Sequence, residues 1–123
     1  MQLSERKIEI VARDSTASSF IIEHFEVPKQ LSSLMFRLDV PDHPIDIVLI
    51  YDSQYNLRAE LSGVSAKKRF VISEDEMIAS RGTKVGQIPS GEWMMALQIA
   101  DVVPATHWVA RYTVEGFEAD DII

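Results

Sequence analysis

The side chains that could do chemistry in this chain are its histidines, carboxylates and serines, and their spacing limits what each could do. The three histidines are His24, His43 and His107, and no pair has the HxH or HExxH spacing that places two imidazoles on one metal ion. His24 falls within an alternating apolar pattern, His43 precedes a proline, and His107 begins another alternating run. The sequence therefore predicts edge and turn histidines and no metal centre.

Carboxylates are more numerous, because the chain has 19 acidic residues against 12 basic ones. Calcium takes about six to eight oxygen ligands from converging loops, and Asp52 and Asn56 could supply two of them. No EF-hand or repeat spacing accompanies this pair, so loop solvation is the preferred interpretation and no cofactor is predicted. A third hypothesis is a concealed hydrolytic site built from acidic residues with His43. It stays open because a sequence cannot place two carboxylates across a cleft, and it predicts that Asp46→Asn abolishes hydrolysis.

Serine, glycine and cysteine patterns disfavour nucleophilic and phosphate chemistry. No G-x-S-x-G elbow is present, and Gly82, Gly86 and Gly91 precede a β-strand pattern, whereas a phosphate loop needs a helix N-terminus. Cysteine is absent, which removes thiolate nucleophiles and disulfides and fits a reducing compartment. We therefore expect a cytoplasmic chain that is not an enzyme by itself.

Charge and hydropathy restrict the partners. The formal net charge is −7, which disfavours nucleic acid. The one basic run, Lys67–Lys68–Arg69, is too short for a phosphate-binding stripe and is interpreted as a solvated edge before a strand. No window approaches the roughly 20 apolar residues of a membrane span, and the first ten residues lack the apolar region of a secretory signal. Neither nucleic acid nor a membrane is a predicted partner.

The elements that position these residues are predicted to be short strands. Period-two alternation places apolar residues on one face of each of two strands, Leu34–Val40 and Trp93–Ile99, so Trp93 is expected in the core. The run Ile45–Tyr51 is apolar on both faces, which is typical of a central strand covered on both sides. Ser73–Ala79 is the only helical candidate, because a serine and a glutamate three residues apart have capping-box spacing.

About eight such runs, separated by turn residues at regular intervals, predict the fold. We expect an all-β, antiparallel β-sandwich or jelly roll of about eight strands with one short helical turn. The length indicates a single domain, 1–123, with 116–123 as a possible tail or linker. Sandwiches commonly bind their ligands through loops at one end. The residues predicted to form this loop rim, as a ligand or partner site, are Asp52, Tyr55, Asn56, Arg58, Gly82 and Gly86.

Several motifs follow one another in a characteristic order between residues 18 and 115, roughly. They are Phe25–Glu26–Val27–Pro28, Leu34–Val40, Ile45–Asp46–Ile47, Asp52 through Asn56, Arg58, Ser62–Gly63, Ala79–Ser80–Arg81–Gly82 and Gly86–Gln87–Ile88–Pro89–Ser90–Gly91–Glu92–Trp93. This order resembles the N-terminal β-sandwich domain of PHP-type metallohydrolases similar to carbaryl esterase (PHP stands for polymerase and histidinol phosphatase). A more distant similarity to pre-peptidase C-terminal domains implies the same kind of sandwich.

The resemblance implies a non-catalytic accessory module that binds a catalytic domain, another subunit or a ligand. The metal-binding histidines and aspartates of that family belong to its catalytic barrel, so none is carried over to this chain. Ala59–Glu60 stands where the family has Gly-Trp, and Arg81 and Thr83 stand where it has proline and tyrosine. The implied partners are a PHP-type catalytic domain or further copies of the chain. The alternative is a free-standing carbohydrate- or calcium-binding module.

Overall fold

Two four-stranded antiparallel sheets pack face to face, in a computed structural model that describes residues 1–11, 20–40, 45–62, 67–99, 107–121 and 123. The strands are β1 (Gln2–Val11), β2 (Phe20–Val27), β3 (Ser33–Asp39), β4 (Ile45–Tyr51), β5 (Leu57–Ser62), β6 (Lys67–Ser73), β7 (Gly91–Ile99) and β8 (His107–Phe117). The first sheet has the order β1-β8-β3-β6 and the second the order β2-β7-β4-β5. Consecutive strands lie in opposite sheets except β4 and β5, which is the topology of an eight-stranded jelly roll. The predicted fold class is confirmed.

Alternation along each strand builds the core between the sheets. In β3, Leu34 and Phe36 are fully buried, whereas the outward Arg37 is exposed. The Phe36 ring stacks on Phe70 of β6 with centroids 4.8 Å apart, and it meets Phe25 of the opposite sheet edge to face at 5.7 Å. These aromatic contacts join both sheets through one hydrophobic centre, so the sandwich can serve as a rigid support for its loops.

The apolar strand β4 is central in its sheet, as predicted, because it pairs with β5 on one side and β7 on the other. The prediction that other residues cover β4 on both faces is not confirmed. Val48 and Ile50 point into the core and are fully buried, whereas the outward Ile47 and Leu49 are only half-buried. On the outer face of the second sheet, β4 therefore presents apolar side chains that solvent can partly reach.

The helical turn predicted over Ser73–Ala79 is not confirmed, and no helix occurs in the described part of the chain. Ser73 ends β6, and the residues after it form a hydrogen-bonded turn in which the amides of Ile78 and Ala79 both donate to the carbonyl of Asp75 at 3.0 Å. Ser73 Oγ accepts from the amide of Asp75, and not from Glu76 as a capping box requires. Local side-chain hydrogen bonds thus stabilise a turn instead of a helix.

One end of the jelly roll gathers the β2–β3, β4–β5 and β6–β7 connections together with the two ends of the chain. Strand β8 runs through Gly116 and Phe117, two residues into the predicted tail, and these residues are held by pairing with the N-terminus and the β2–β3 connection. The Gly116 amide donates to Met1 at 2.7 Å, and the Ser32 amide donates to Phe117 at 2.8 Å. Within the described residues, no helix has the length and apolarity to cross a membrane.

Candidate functional site

The predicted loop rim is organised around Arg58, whose position depends on a β-bulge. Ile50 of β4 pairs with Ala59, and Tyr51 pairs with Leu57, so Arg58 is the extra residue without an opposite partner in β4. A bulge of this kind re-aims the side chain of the extra residue. Arg58 is consequently turned inward and is only 6% exposed, although it is charged and lies at the end of an edge strand.

Every nitrogen of the Arg58 guanidinium has an acceptor among nearby backbone carbonyls. Nη1 donates to the Gln87 carbonyl at 2.6 Å, Nη2 to Gly86 at 3.0 Å, and Nε and Nη2 to Lys84 at 3.3 and 3.2 Å. Nη1 also approaches Asp52 Oδ2 at 3.4 Å, and both side chains of this ion pair are buried. Arg58 therefore holds the 84–87 loop against β5. The same hydrogen bonds offset the free-energy cost of burying its charge.

Trp93 forms the floor beneath this guanidinium. The Arg58 guanidinium carbon lies 5.6 Å from the centroid of the Trp93 ring, within the range of a cation–π contact. Trp93 Nε1 donates to the Pro89 carbonyl at 2.8 Å, and the side chain has no solvent exposure. The prediction of a core role for Trp93 is confirmed. The tryptophan and the arginine together connect the core to the rim.

Asp52 supports the β4–β5 turn from below. Its Oδ1 accepts hydrogen bonds from the amides of Gln54 at 2.9 Å and Asn56 at 3.0 Å, and the residue is 4% exposed. Both carboxylate oxygens are thus engaged by the turn and by Arg58, which leaves them poorly placed as calcium ligands. Tyr55, at the tip of the same turn, is 88% exposed and adopts a left-handed backbone conformation with φ 64°.

The two predicted rim glycines have different roles. Gly82 has φ +83°, and its carbonyl accepts from the Glu60 amide at 3.0 Å, so that the chain passes close beside β5. A Cβ at Gly82 would lie 2.8 Å from Leu61 Cδ2. Gly86 has no such backbone requirement, and a Cβ there would lie 3.5 Å from Arg58 Nη2, an ordinary contact. Only Gly82 needs to be glycine for steric reasons.

A surface cleft of about 490 Å³ adjoins these residues. The polar side chains that line it and are not buried belong to Gln54, Asn56, Lys84 and Gln87, while Asp52 and Arg58 lie at its base. Amide groups and an ammonium group at the mouth of a cleft can donate to hydroxyl or carbonyl oxygens of a ligand. The structure thus brings Asp52, Asn56, Arg58 and Gly86 together at one cleft. Gly82 lies along the edge of β5, and the exposed Tyr55 projects from the turn between Gln54 and Asn56.

No group of three or more histidine, cysteine, aspartate or glutamate residues able to hold a metal ion occurs in the part of the chain that the structure describes. His24 lies on edge strand β2, where its Nδ1 approaches Glu92 Oε1 at 3.1 Å. His43 and Gly63 lie outside the described residues, as does the side chain of His107. The hypothesis that joins Asp46 to His43 therefore stays a prediction.

A second region that the sequence did not reveal lies on the outer face of the first sheet. We call it the cationic face and define it as Arg37, Lys67, Arg69 and Arg111. Arg37 of β3 pairs with Arg69 of β6, and Asp39 of β3 pairs with Lys67 on one side and Arg111 on the other. The basic run considered from sequence is thus the start of edge strand β6, and two arginines from distant segments join it. Their alternation with apolar residues was visible, but the strand register was not.

No family model matches this chain, and neither a curated protein nor a solved structure matches it. The similarity to the N-terminal domains of PHP-type metallohydrolases stays a prediction that rests on the order of the quoted motifs. The proposals for the function of this chain therefore rest on the contacts of the loop rim and of the cationic face.

Proposed function

We propose that this chain is a non-catalytic accessory module that binds a partner through the loop rim. The observation that supports this proposal is the contrast within the β4–β5 turn. Tyr55 is 88% exposed, whereas the Asp52 and Arg58 side chains that hold the turn are buried. A large aromatic ring on a rigid turn loses little conformational entropy on binding and offers both apolar area and a hydroxyl group.

The backbone of Tyr55 strengthens this interpretation. A left-handed conformation is unfavourable for a residue with a bulky side chain, and asparagine or glycine would be the usual choice at such a position. Exposed residues in strained conformations are common at recognition sites, where a supporting structure compensates for the strain. Here the support comes from the hydrogen bonds of Asp52 to the amides of Gln54 and Asn56.

The partner we propose, from the resemblance described above, is the catalytic barrel of a PHP-type metallohydrolase. The test is biolayer interferometry between the purified chain and such a barrel, with Tyr55→Ala as the site variant. Met77→Ala is the matched control, because Met77 is 87% exposed and lies in the turn after β6. We expect Tyr55→Ala to weaken binding about tenfold or more and Met77→Ala to leave it unchanged, as for an interface hot spot.

Two results would count against this assignment. Absence of binding by the wild-type chain to the barrel at high micromolar concentration would remove the accessory role. Equal losses in the two variants would show that binding does not use the loop rim. Circular dichroism on both variants establishes that each is folded before its affinity is interpreted.

A carbohydrate-binding module is the second candidate, favoured by the position of Tyr55 beside a cleft with amide side chains. Aromatic rings stack on sugar rings, and amides such as Gln54 and Gln87 donate to and accept from hydroxyl groups. A glycan array with the same two variants separates the candidates. Glycan binding that is lost in Tyr55→Ala, without binding to the barrel, would favour this function.

Two further expectations belong to the proposal. Another copy of the chain is an alternative partner, and it would use the apolar outer face of the second sheet, where Phe20 is 46% and Ile22 44% exposed. Light scattering of the wild type and of Ile22→Glu tests this alternative, since a dimer through that face would dissociate in the variant. The absence of cysteine leads us to propose a reducing, cytoplasmic location.

A further inference from the structure

We propose that the cationic face binds a compact multivalent oxyanion, of the kind presented by a di- or triphosphate group. This site is separate from the loop rim and does not depend on the function proposed for it. The inference rests on the strand register, which concentrates positive charge on one small surface of a chain whose formal net charge is −7.

The register determines how these cations are spaced. Arg69 and Arg37 are directly opposite on neighbouring strands, and Lys67 and Arg111 flank Asp39 one row further along. Strands about 4.8 Å apart place the outer two cations on a backbone span of about 10 Å. A depression of about 400 Å³ is lined by all four of these cations, together with Lys68 and Asp39, so that positive charge exceeds the single carboxylate there. These dimensions suit two or three linked phosphate groups better than an extended polymer.

The arginines of this face have few partners among the described residues, although Asp39 lies in the row between Lys67 and Arg111. All four side chains of the face are exposed. Neither Arg37 nor Arg111 forms an ion pair within 4.0 Å with a described residue. Arg69 Nε donates to the sulfur of Met35 at 3.0 Å, a weak acceptor that leaves the charge uncompensated. Like charges directly opposite in a sheet are destabilising, so a bound anion would relieve this repulsion.

Protection of a sheet edge is the alternative explanation for basic residues in a strand. Lysines on an edge strand discourage pairing with another chain, and β6 is an edge of the first sheet. This explanation accounts for Lys67 and Arg69. It does not account for Arg37 or Arg111, because β3 and β8 are interior strands with neighbours on both sides.

Guanidinium groups indicate the chemistry of the ligand. The planar donors of arginine match two oxygens of a phosphate or sulfate at once, and three of the four cations on this face are arginines. A long nucleic acid would extend beyond the face onto a surface that is acidic overall, where it would be repelled. A small phosphate-bearing molecule therefore fits the site best.

The test is isothermal titration calorimetry with tripolyphosphate on the intact chain. The site variant is Arg37→Gln/Arg111→Gln, and the matched control is Lys29→Gln/Arg81→Gln, which removes the same charge from exposed positions at the loop end. We expect the site variant to lose affinity at least about tenfold and the control to stay within about twofold. Arg37→Lys should give an intermediate affinity, because it keeps the charge and loses the paired donors.

Equal losses in the site and control variants would overturn the proposal, because they would indicate attraction by net charge alone. Absence of heat with the wild type at millimolar tripolyphosphate would also overturn it. A flotation assay with vesicles of phosphatidylserine and phosphatidylcholine identifies the source of the phosphate. We expect no flotation, as for a soluble ligand, whereas flotation lost in the site variant would assign the same phosphate chemistry to a lipid headgroup. A dimer that dissociates in the site variant would instead replace the anion with a second copy of the chain.

Discussion

Arg58 and Arg37 are the same type of residue in one sandwich, but their side chains have different environments. Arg58 is 6% exposed and donates to three backbone carbonyls and a carboxylate, so every nitrogen of its guanidinium has an acceptor within the protein. Arg37 is exposed, lies opposite another arginine, and has no ion pair with a described residue. A cation that already has its acceptors maintains structure, whereas one that lacks them is available to a ligand.

The same distinction divides the loop rim. Asp52, Arg58 and Gly82 are its support, because they hold the turn and the neighbouring loop by buried hydrogen bonds or by backbone conformation. Tyr55 and the side chains around the cleft are its exposed part. Variants of the first group should lower stability, whereas variants of the second should act on binding affinity and change stability only slightly.

The largest loss of stability is expected for Trp93, which lies beneath the Arg58 guanidinium. Trp93→Ala removes a ring with no solvent exposure that contacts both Arg58 and Phe25, and we expect the free energy of unfolding to fall by about 3–5 kcal/mol. Urea denaturation measures this loss. Phe20→Ala, at a half-exposed aromatic, is the control and should cost less than about 1 kcal/mol. Similar costs would mean that the core does not centre on Trp93.

The comparison of the two arginines is tested by giving each the same substitution. Arg58→Met leaves Asp52 buried without its cation and several carbonyls without a donor, so we expect a loss of about 3 kcal/mol. Arg37→Met should change the stability by less than about 0.5 kcal/mol, or raise it slightly as repulsion from Arg69 disappears. Equal effects in urea denaturation would contradict the distinction between the two sites.

Glycine substitutions test which part of the rim is under steric constraint. Gly82→Ala forces a side chain into a left-handed conformation and against Leu61, and we expect a loss of about 1–2 kcal/mol. Gly86→Ala is the control, with an expected change within about 0.5 kcal/mol, because its added methyl group meets only ordinary contacts. Thermal unfolding compares the two. A tolerant Gly82 would show that the close approach to β5 relaxes easily.

The smallest effect is expected at the tip of the turn. Tyr55→Asn should raise the free energy of unfolding by about 0.5 kcal/mol, because asparagine adopts left-handed backbone conformations more readily than tyrosine. The same variant should weaken partner binding. A loss of stability instead would show that the Tyr55 ring contributes to folding and is not reserved for recognition.

Much of the fold was predictable from local pattern. Alternation with period two located the strands, since inward and outward residues of a strand differ in polarity wherever one face is buried. It also placed Trp93 in the core, and the turn residues separated the strands at the correct places. The predicted helical turn is not confirmed, because pairing with Ser33 of β3 keeps Ser73, the expected cap, at the end of β6.

The two candidate sites were less predictable, because their arginines depend on contacts between distant segments. The turn residues of the sequence predicted which residues form the rim. They did not predict that Arg58 turns inward, because this depends on a bulge opposite Ile50 and Tyr51 that no local sequence pattern indicates. The cationic face likewise arises because β3, β6 and β8 align Arg37, Arg69 and Arg111, which are far apart in the chain. The sequence by itself determined the strands and their buried faces through short-range alternation. Only the tertiary structure decided which charges meet, because strand order and register are set by packing of the whole sandwich.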